Sequence, residues 1–329
     1  MPDEGPVQTE RDSSPRLFDS PDRRDGRVYV MLDEVSLAVR VALATGRPLL
    51  LRGDPGSGKS SLAPYIALRR GWRYYEHVVT SRTQATDLLW TYDHVRRLSD
   101  AQVRAPGKPL VDHRYVTPGP LWWAFAPRSA AGADDPRPDR EHREDPFRKI
   151  NKTRSRHHAV VLIDEIDKAE PDMPNSLLVP LGSNEFTVAE TGEQVRKERA
   201  PSAASDAENR HLVIITTNEE RELPQAFLRR CVVAWLPQPG SDRLVRIAQE
   251  HFTQYDGGFT ETDRELAGKL AEELENARAT AKKQGLRPPS TAEYLDALRA
   301  CRSIGMSPAD ERWDLLKRLV LLKPQQPDE

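Results

Sequence analysis

Eight consecutive residues have the types and spacing to hold a nucleoside triphosphate. Gly53–Ser60 reads Gly-Asp-Pro-Gly-Ser-Gly-Lys-Ser, a complete phosphate-binding loop of the form G-x-x-x-x-G-K-[ST]. Its glycines permit backbone conformations that a Cβ would forbid, so successive N–H groups can point at the β-phosphate. Lys59 would reach the β- and γ-phosphate oxygens, and the Ser60 hydroxyl would ligate Mg²⁺. The predicted binding residues are Gly53, Asp54, Pro55, Gly56, Ser57, Gly58, Lys59, Ser60 and Ser61.

A pair of carboxylates follows the apolar run 159–163. Transfer of a phosphoryl group to water needs charge neutralisation and a positioned nucleophile. Asp164 stands where a Walker-B Asp would hold Mg²⁺ together with Ser60. Glu165 is the candidate base that orients and polarises the attacking water. Asp167 is close in sequence, but two carboxylates are enough for such a site, and we expect it to be a surface acid of a helix.

Three more polar residues follow or precede apolar runs. Asn218 would lie beside the phosphate loop if the strands interleave, and its amide could then hydrogen-bond the attacking water or a γ-phosphate oxygen. The alternative is an ordinary turn asparagine. Arg229 and Arg230 come just before the last apolar run. They could form salt bridges at the surface or project into the nucleotide of a neighbouring subunit, and composition does not choose between these roles.

The order of apolar runs predicts the elements that position these groups. Residues 47–52, before the loop, suit a buried strand, and residues 61–68, after it, suit a helix. Three later apolar runs alternate with helical segments; they are 159–163, 211–216 and 231–236. The first two are followed directly by polar residues. This alternation predicts an α/β fold with a parallel, doubly wound sheet and chemistry at the carboxyl ends of its strands.

Beyond Gly240 the apolar residues recur at helical spacing, which predicts a small domain of about four helices. Its Ser290–Glu293 segment has the form of a capping box. The predicted division is a disordered N-terminal segment (1–26), a nucleotide-binding αβα domain (27–238) with insertions at about 85–150 and a hairpin at about 185–210, a helical lid domain (239–323) and a tail (324–329).

Composition excludes several classes of function. The 329 residues carry a net charge of −2, so no global basic field attracts nucleic acid. The two cysteines, Cys231 and Cys301, are far apart in sequence, so we expect neither a disulfide framework nor a structural zinc site. No apolar run approaches the about 20 residues of a membrane span, and the N-terminus does not resemble a signal peptide. We therefore expect a cytoplasmic protein with no membrane contact.

Four segments, taken in order, resemble those of an AAA+ ATPase and more narrowly of the MoxR group. They are Gly53–Ser60, Leu162–Lys168, Thr216–Asn218 and Ala226–Cys231. The resemblance implies a RecA-like P-loop NTPase core, a helical lid, and ATP with Mg²⁺ bound between the subunits of a homo-oligomeric ring, usually a hexamer. It makes Asn218 the sensor-1 residue and one of Arg229 and Arg230 the trans-acting arginine finger. Arg230 is favoured because it aligns with the arginine of related Phe-Leu-x-Arg motifs. With Glu165, these residues complete the predicted catalytic set.

Two insertions in the chain also resemble those of this group. Residues 88–125 resemble the segment that interrupts helix 2 in this group, and residues 186–195 resemble the hairpin before sensor 1; both would line or rim the ring pore. Trp122 and Trp123 are either the core of this insertion or a partner-binding tip. Ala292 occupies the position where many relatives place a sensor-2 arginine, so Arg287 substitutes or the enzyme does without one.

The leading hypothesis is an ATP-driven ring that remodels a partner protein. MoxR-type proteins typically work with von Willebrand factor A-domain partners, and some relatives sit in bacterial defence gene sets. A nucleic-acid-dependent motor is the second hypothesis, supported by the basic runs 148–156 and 196–199. A nucleotide-dependent assembly switch is the third. It is less favoured because Glu165, Asn218 and the arginine pair form a full hydrolytic set.

Overall fold

The computed structural model describes residues 25–103, 110–133, 142–198 and 211–321. The N-terminal segment 1–26, apart from its last two residues, and the tail 324–329 lie outside these ranges, so their predicted disorder stays a prediction. The strands are β1 (Leu49–Arg52), β2 (Trp72–Val78), β3 (Trp90–Tyr92), β4 (Val116–Pro118), β5 (Ser155–Asp164), β6 (Glu185–Thr187), β7 (Gln194–Arg196), β8 (His211–Thr217) and β9 (Val232–Trp235).

Helices connect and cover these strands. They are α1 (Asp33–Thr45), α2 (Lys59–Arg70), α3 (His94–Val103), α4 (Pro120–Phe125), α5 (Pro127–Ala131), α6 (Arg148–Asn151), α7 (Met173–Ser176), α8 (Leu178–Ser183), α9 (Gln225–Leu228), α10 (Ser241–Tyr255), α11 (Glu261–Gln284), α12 (Thr291–Ile304) and α13 (Trp313–Val320). Short 3₁₀ turns occur at Ala85–Leu88, Asp112–Tyr115 and Ile166–Lys168. In the ranges described, none of the helices combines the length and the apolar composition that crossing a membrane would need.

A five-stranded sheet in the order β2-β5-β8-β1-β9 forms the centre of the chain. Every pair of neighbours in it is parallel, so all five strands end at the same edge. The predicted α/β fold with a parallel P-loop NTPase sheet is confirmed. Because β8 lies between β5 and β1, the residues that follow β8 emerge between the carboxylate pair and the phosphate loop, as the site requires.

Both faces of the sheet are covered, which explains why its strands are continuously apolar. Side chains alternate between faces along a strand. Leu49 and Leu51 of β1 therefore pack with α1 and α2 in one apolar cluster, whereas Leu50 belongs to a second cluster on the opposite face. The second cluster includes the residues of α4 and the hairpin β6–β7.

The two tryptophans of the insertion belong to this second cluster. Trp122 is fully buried and Trp123 nearly so. The Trp122 ring packs edge-on against Phe186 of β6 at a centroid distance of 5.8 Å. Phe186 pairs with Val195 across an antiparallel hairpin, which confirms the predicted hairpin. Of the two roles considered for the tryptophans, the structure selects the core of the insertion.

Helices α10 to α13 pack around an apolar cluster of their own. Ser290 caps α12: its hydroxyl accepts from the Glu293 amide, and the Glu293 carboxylate accepts from the Ser290 amide. The predicted capping box is therefore confirmed. The division of the chain into a nucleotide-binding domain and a lid domain stays a prediction.

Candidate active site

Three glycines of the phosphate loop have positive φ angles, and two of them leave no room for a Cβ. Gly53, Gly56 and Gly58 have φ angles of 147°, 76° and 94°. A Cβ on Gly53 would lie 2.3 Å from the carbonyl oxygen of Leu236, and one on Gly56 would lie 2.4 Å from the Cβ of Ser290. The chain after β9 and the first residue before α12 thus contact the loop directly, so its shape depends on segments far away in sequence.

Replacing Gly56 by alanine should weaken nucleotide binding and disturb the start of α12. Alanine at positive φ costs about 1–2 kcal/mol, and its Cβ would also overlap Ser290. We expect a loss of ATP affinity of at least about tenfold. Isothermal titration would measure it.

Gly71→Ala is the matched control, because Gly71 has φ 62° but open space around its missing Cβ. It should lower stability without changing affinity. Equal affinity losses in the two variants would contradict a specific role for the contact between Gly56 and Ser290.

Lys59 is directed back into the loop. Its side chain is buried, and its Nζ donates to the carbonyl oxygens of Gly53 at 2.7 Å and Asp54 at 2.9 Å. Burial lowers the pKa of Lys59, and the charges of nearby carboxylates, with Asp164 the strongest, act in the opposite direction. A bound phosphate would supply further negative charge at this ammonium, which favours its protonated form.

Ser60 and Asp164 come together although 104 residues separate them. The Ser60 hydroxyl donates to Asp164 Oδ1 at 2.7 Å. The same carboxylate oxygen accepts from the Thr216 hydroxyl at 2.6 Å. The predicted metal pair is therefore assembled as an adjacent hydroxyl and carboxylate, the oxygen donors that suit Mg²⁺. Thr216 was not predicted as a site residue from the sequence. Its place at the carboxyl end of the buried strand β8 could have indicated it.

Glu165 has a constrained backbone and a carboxylate with two partners. Its φ of 61° is in the left-handed region, and its amide donates to the Thr216 hydroxyl at 2.9 Å. One carboxylate oxygen accepts from Lys168 Nζ at 2.6 Å, and the other accepts from the Asn218 side-chain amide at 3.3 Å. The predicted base and the predicted sensor are thus in contact. The hydrogen bond to Glu165 raises the pKa of Lys168, a partner that the sequence analysis missed.

Asp167 does not lie at the surface. It is only 2% exposed, so the expectation of a surface acid is wrong. The 3₁₀ turn Ile166–Lys168 carries its side chain beneath the chain that leaves β8. There its Oδ2 accepts from the backbone amides of Asn218 at 3.1 Å and Glu220 at 3.0 Å.

An open cleft of about 380 Å³ lies beside Glu165. It is bounded by the chain after β2, the turn after β5 and the chain after β8, and its lining includes Thr80, Asp167, Lys168 and Arg221. Glu165 is part of this wall, so solvent or a group from another molecule can approach its carboxylate from the cleft.

Arg229 and Arg230 are not brought to the site of their own chain. They precede β9, whose Val232 pairs with Leu49 at the start of β1. The phosphate loop follows the other end of β1. Since a strand rises about 3.3 Å per residue, four residues separate the arginine pair from the loop by about 13 Å along the sheet. Arg47 donates to the backbone carbonyl of Arg229 at 3.0 Å. The side chains of Arg229 and Arg230 are both exposed.

Several buried polar atoms near the phosphate loop have no hydrogen-bond partner among the described residues. Buried polar atoms in folded proteins nearly always have one. Tyr29 contacts the loop, since a Cβ on Gly58 would lie 3.9 Å from its ring. The atoms are Tyr29 Oη, Ser57 Oγ, Gln238 Nε2, Arg243 Nε, Arg278 Nη2 and Thr291 Oγ1. They lie in the segment before α1, in the loop itself, after β9 and in the C-terminal helices.

The C-terminal helices contribute a buried arginine that the sequence analysis missed. Arg278 donates to the carbonyl oxygens of Pro239 at 2.8 Å and Pro289 at 2.9 Å, and burial lowers its pKa. Arg287, considered as a sensor-2 substitute, is exposed and lies 3.6 Å from Glu293. Arg278 therefore joins the chain before α10 to the chain before α12.

A family model described as AAA domain, dynein-related subfamily, matches residues 48–231, more than half of the chain. The match begins just before β1 and ends directly after the arginine pair, so it contains the phosphate loop, both carboxylates and Asn218. No curated protein matches the chain.

Proposed function

Because this chain belongs to the dynein-related subfamily of AAA domains, we propose that it binds ATP with Mg²⁺ and hydrolyses it as one subunit of a ring. Members of this family generally hydrolyse ATP and typically assemble into rings. The observation that carries the proposal is the meeting of Ser60, Asp164, Glu165 and Asn218 at one sheet edge beside a complete phosphate loop. We further propose the MoxR type within the subfamily.

We propose a role for each of these residues, supported by their geometry. Lys59 and the loop amides would bind the β- and γ-phosphates, and Ser60 with Asp164 would hold the metal. Bound Mg²⁺ would neutralise charge that develops on the phosphate oxygens. Glu165 takes the proton of the attacking water, which enters from the open cleft beside it. Asn218 orients that water or a γ-phosphate oxygen from the opposite side.

The arginine pair acts in a neighbouring subunit. About 13 Å of strand separates Arg230 from the phosphate loop of its own chain, whereas the exposed far edge of one subunit can face the open site of the next. A closed ring of identical heterologous contacts satisfies this condition for every subunit. We propose a homo-oligomer, of which a hexamer is the usual form in this group.

Turnover per subunit should therefore depend on protein concentration. At dilutions where the chain is monomeric, we expect phosphate release to be at least about tenfold slower per subunit than in the assembled state, because the finger is missing. Phosphate-release assays and light scattering over the same dilution series would measure both quantities. A constant rate per subunit across the assembly transition would contradict a trans-acting residue, and no hydrolysis in the assembled state would contradict the enzyme itself and favour the assembly switch.

The work driven by ATP is proposed to be the remodelling of a partner protein. The MoxR resemblance points to a von Willebrand factor A-domain partner and to bacterial defence. The nucleic-acid alternative rests on the basic runs 148–156 and 196–199. In the first, Arg148 pairs with Glu144 and Arg154 donates to the Trp72 carbonyl. In the second, Arg196 pairs with Glu185. A pull-down with the Glu165→Gln protein, which should bind ATP without hydrolysing it, would show whether the bound partner contains a von Willebrand factor A domain. Salt-sensitive stimulation of hydrolysis by DNA or RNA would instead favour the motor.

A further inference from the structure

Asp167 is a buried carboxylate for which the proposed mechanism has no direct use. It lies two residues after Glu165 in the 3₁₀ turn Ile166–Lys168 and is 2% exposed. A carboxylate at such depth is stabilised only by hydrogen bonds or nearby charge. Its Oδ2 has two donors, and its Oδ1 has no hydrogen-bond partner among the described residues.

Both donors belong to the turn that follows β8. They are the backbone amides of Asn218 and Glu220, at 3.1 Å and 3.0 Å. Between them stands Glu219, whose φ of 61° is unusual for a residue with a side chain. The carboxylate of Asp167 therefore accepts hydrogen bonds from the residues on both sides of Glu219, the residue with the unusual φ angle.

This turn decides where the Asn218 side chain lies. Its amide Nδ2 is 3.3 Å from Glu165 Oε1. Glu165 and Asp167 therefore both contact Asn218. Glu165, the proposed base, accepts from its side-chain amide, and Asp167 accepts from its backbone amide. A shift of the turn after β8 would therefore move Asn218 relative to Glu165.

We propose that Asp167 is a positioning residue, whose carboxylate fixes Asn218 opposite Glu165 through the backbone amides of residues 218 and 220. The expected change in turnover rests on the proposed ATP hydrolysis. The expected change in the turn after β8 does not. A different role is conceivable through charge, because Asp167 is also among the carboxylates that favour the charged form of Lys59. That role would change nucleotide binding, whereas positioning of Asn218 would change turnover.

The test is a double-mutant cycle on the full-length chain under assembling conditions. Asp167→Ala should lower kcat by about tenfold to a hundredfold, because two amides lose a charged acceptor, with KM for ATP within about twofold of wild type. Asn218→Ala should lower kcat at least as much. The double variant should be no slower than Asn218→Ala alone, since residues that act through one another are not additive.

Asp167→Asn provides the conservative variant, because an amide oxygen can still accept from both backbone groups. It should recover most of the kcat lost in Asp167→Ala. Asp172→Asn, an exposed acid five positions on, is the matched control and should resemble wild type. Multiplicative losses in the double variant, or a raised KM with unchanged kcat, would overturn the proposal.

Hydrogen exchange of a peptide covering residues 217–221 separates this inference from the proposed function. Exchange should be faster in Asp167→Ala than in Asp167→Asn or Asp172→Asn, because only the alanine leaves the amides of residues 218 and 220 without an acceptor. This result is expected even if the wild-type chain hydrolyses no ATP. Unchanged exchange in Asp167→Ala would refute the positioning role whatever the kinetics.

Discussion

The Glu165→Gln protein should bind ATP as tightly as the wild type and hydrolyse it at least about a hundredfold more slowly, because general bases contribute 10²–10⁴-fold. Glutamine has the shape of glutamate and keeps an oxygen for the Asn218 amide, which lies 3.3 Å from Glu165 Oε1. It cannot take a proton from water. The groups that hold the nucleotide, Lys59, Ser60 and Asp164, are untouched.

Isothermal titration would give the affinity, and phosphate release would give the turnover. Glu170→Gln is the matched control, since Glu170 is an exposed glutamate five positions away with no side-chain partner among the described residues. It should leave both quantities unchanged. Turnover close to wild type in Glu165→Gln would remove Glu165 from the role of base, whereas a large loss of affinity would mean that it contributes to binding.

The Arg230→Ala protein should bind ATP and assemble but lose about a thousandfold in turnover, because an arginine finger stabilises charge in the transition state. Its own phosphate loop is too far along the sheet to be affected. Arg229→Ala is the comparison: its backbone carbonyl, held by Arg47, is unchanged by truncation of the side chain. A larger loss in Arg229→Ala than in Arg230→Ala would transfer the finger to Arg229.

Mixing the two inactive proteins gives a decisive test of action in trans. In a mixed ring, an intact Arg230 of a Glu165→Gln subunit can face an intact Glu165 of an Arg230→Ala subunit. Co-expressed rings should therefore recover part of the wild-type turnover, although each variant alone is inactive. Rings that contain both variants and stay inactive would contradict the trans-acting finger.

The fold class and the polar residues that gather at one edge of the sheet could be predicted from the sequence alone. A phosphate loop, an Asp-Glu pair and Asn218 each follow an apolar run. Parallel strands bring their carboxyl ends to one edge, so local pattern was enough to place these groups together. The capping box at Ser290 was equally predictable, because its residues lie within one turn of each other.

Other features depended on contacts between distant segments. Trp122 could have been a core residue or a partner-binding tip, and only its packing against Phe186 decided between them. Leu236 and Ser290 close on Gly53 and Gly56, but no spacing in the sequence indicates these approaches. Such contacts arise from how the chain after β9 and the helix α12 sit on the loop.

Asp167 is the clearest case in which packing between distant segments, and not local pattern, placed a side chain. Its charge and its place after the carboxylate pair favoured a surface position. Burial instead follows from the turn after β8, whose two free amides need an acceptor where the strands end. The position of the arginine pair was decided in the same way, by strand register. Local periodicity specifies which residues end a strand, but the pairing of strands specifies what each end faces, and that pairing is a property of the whole fold.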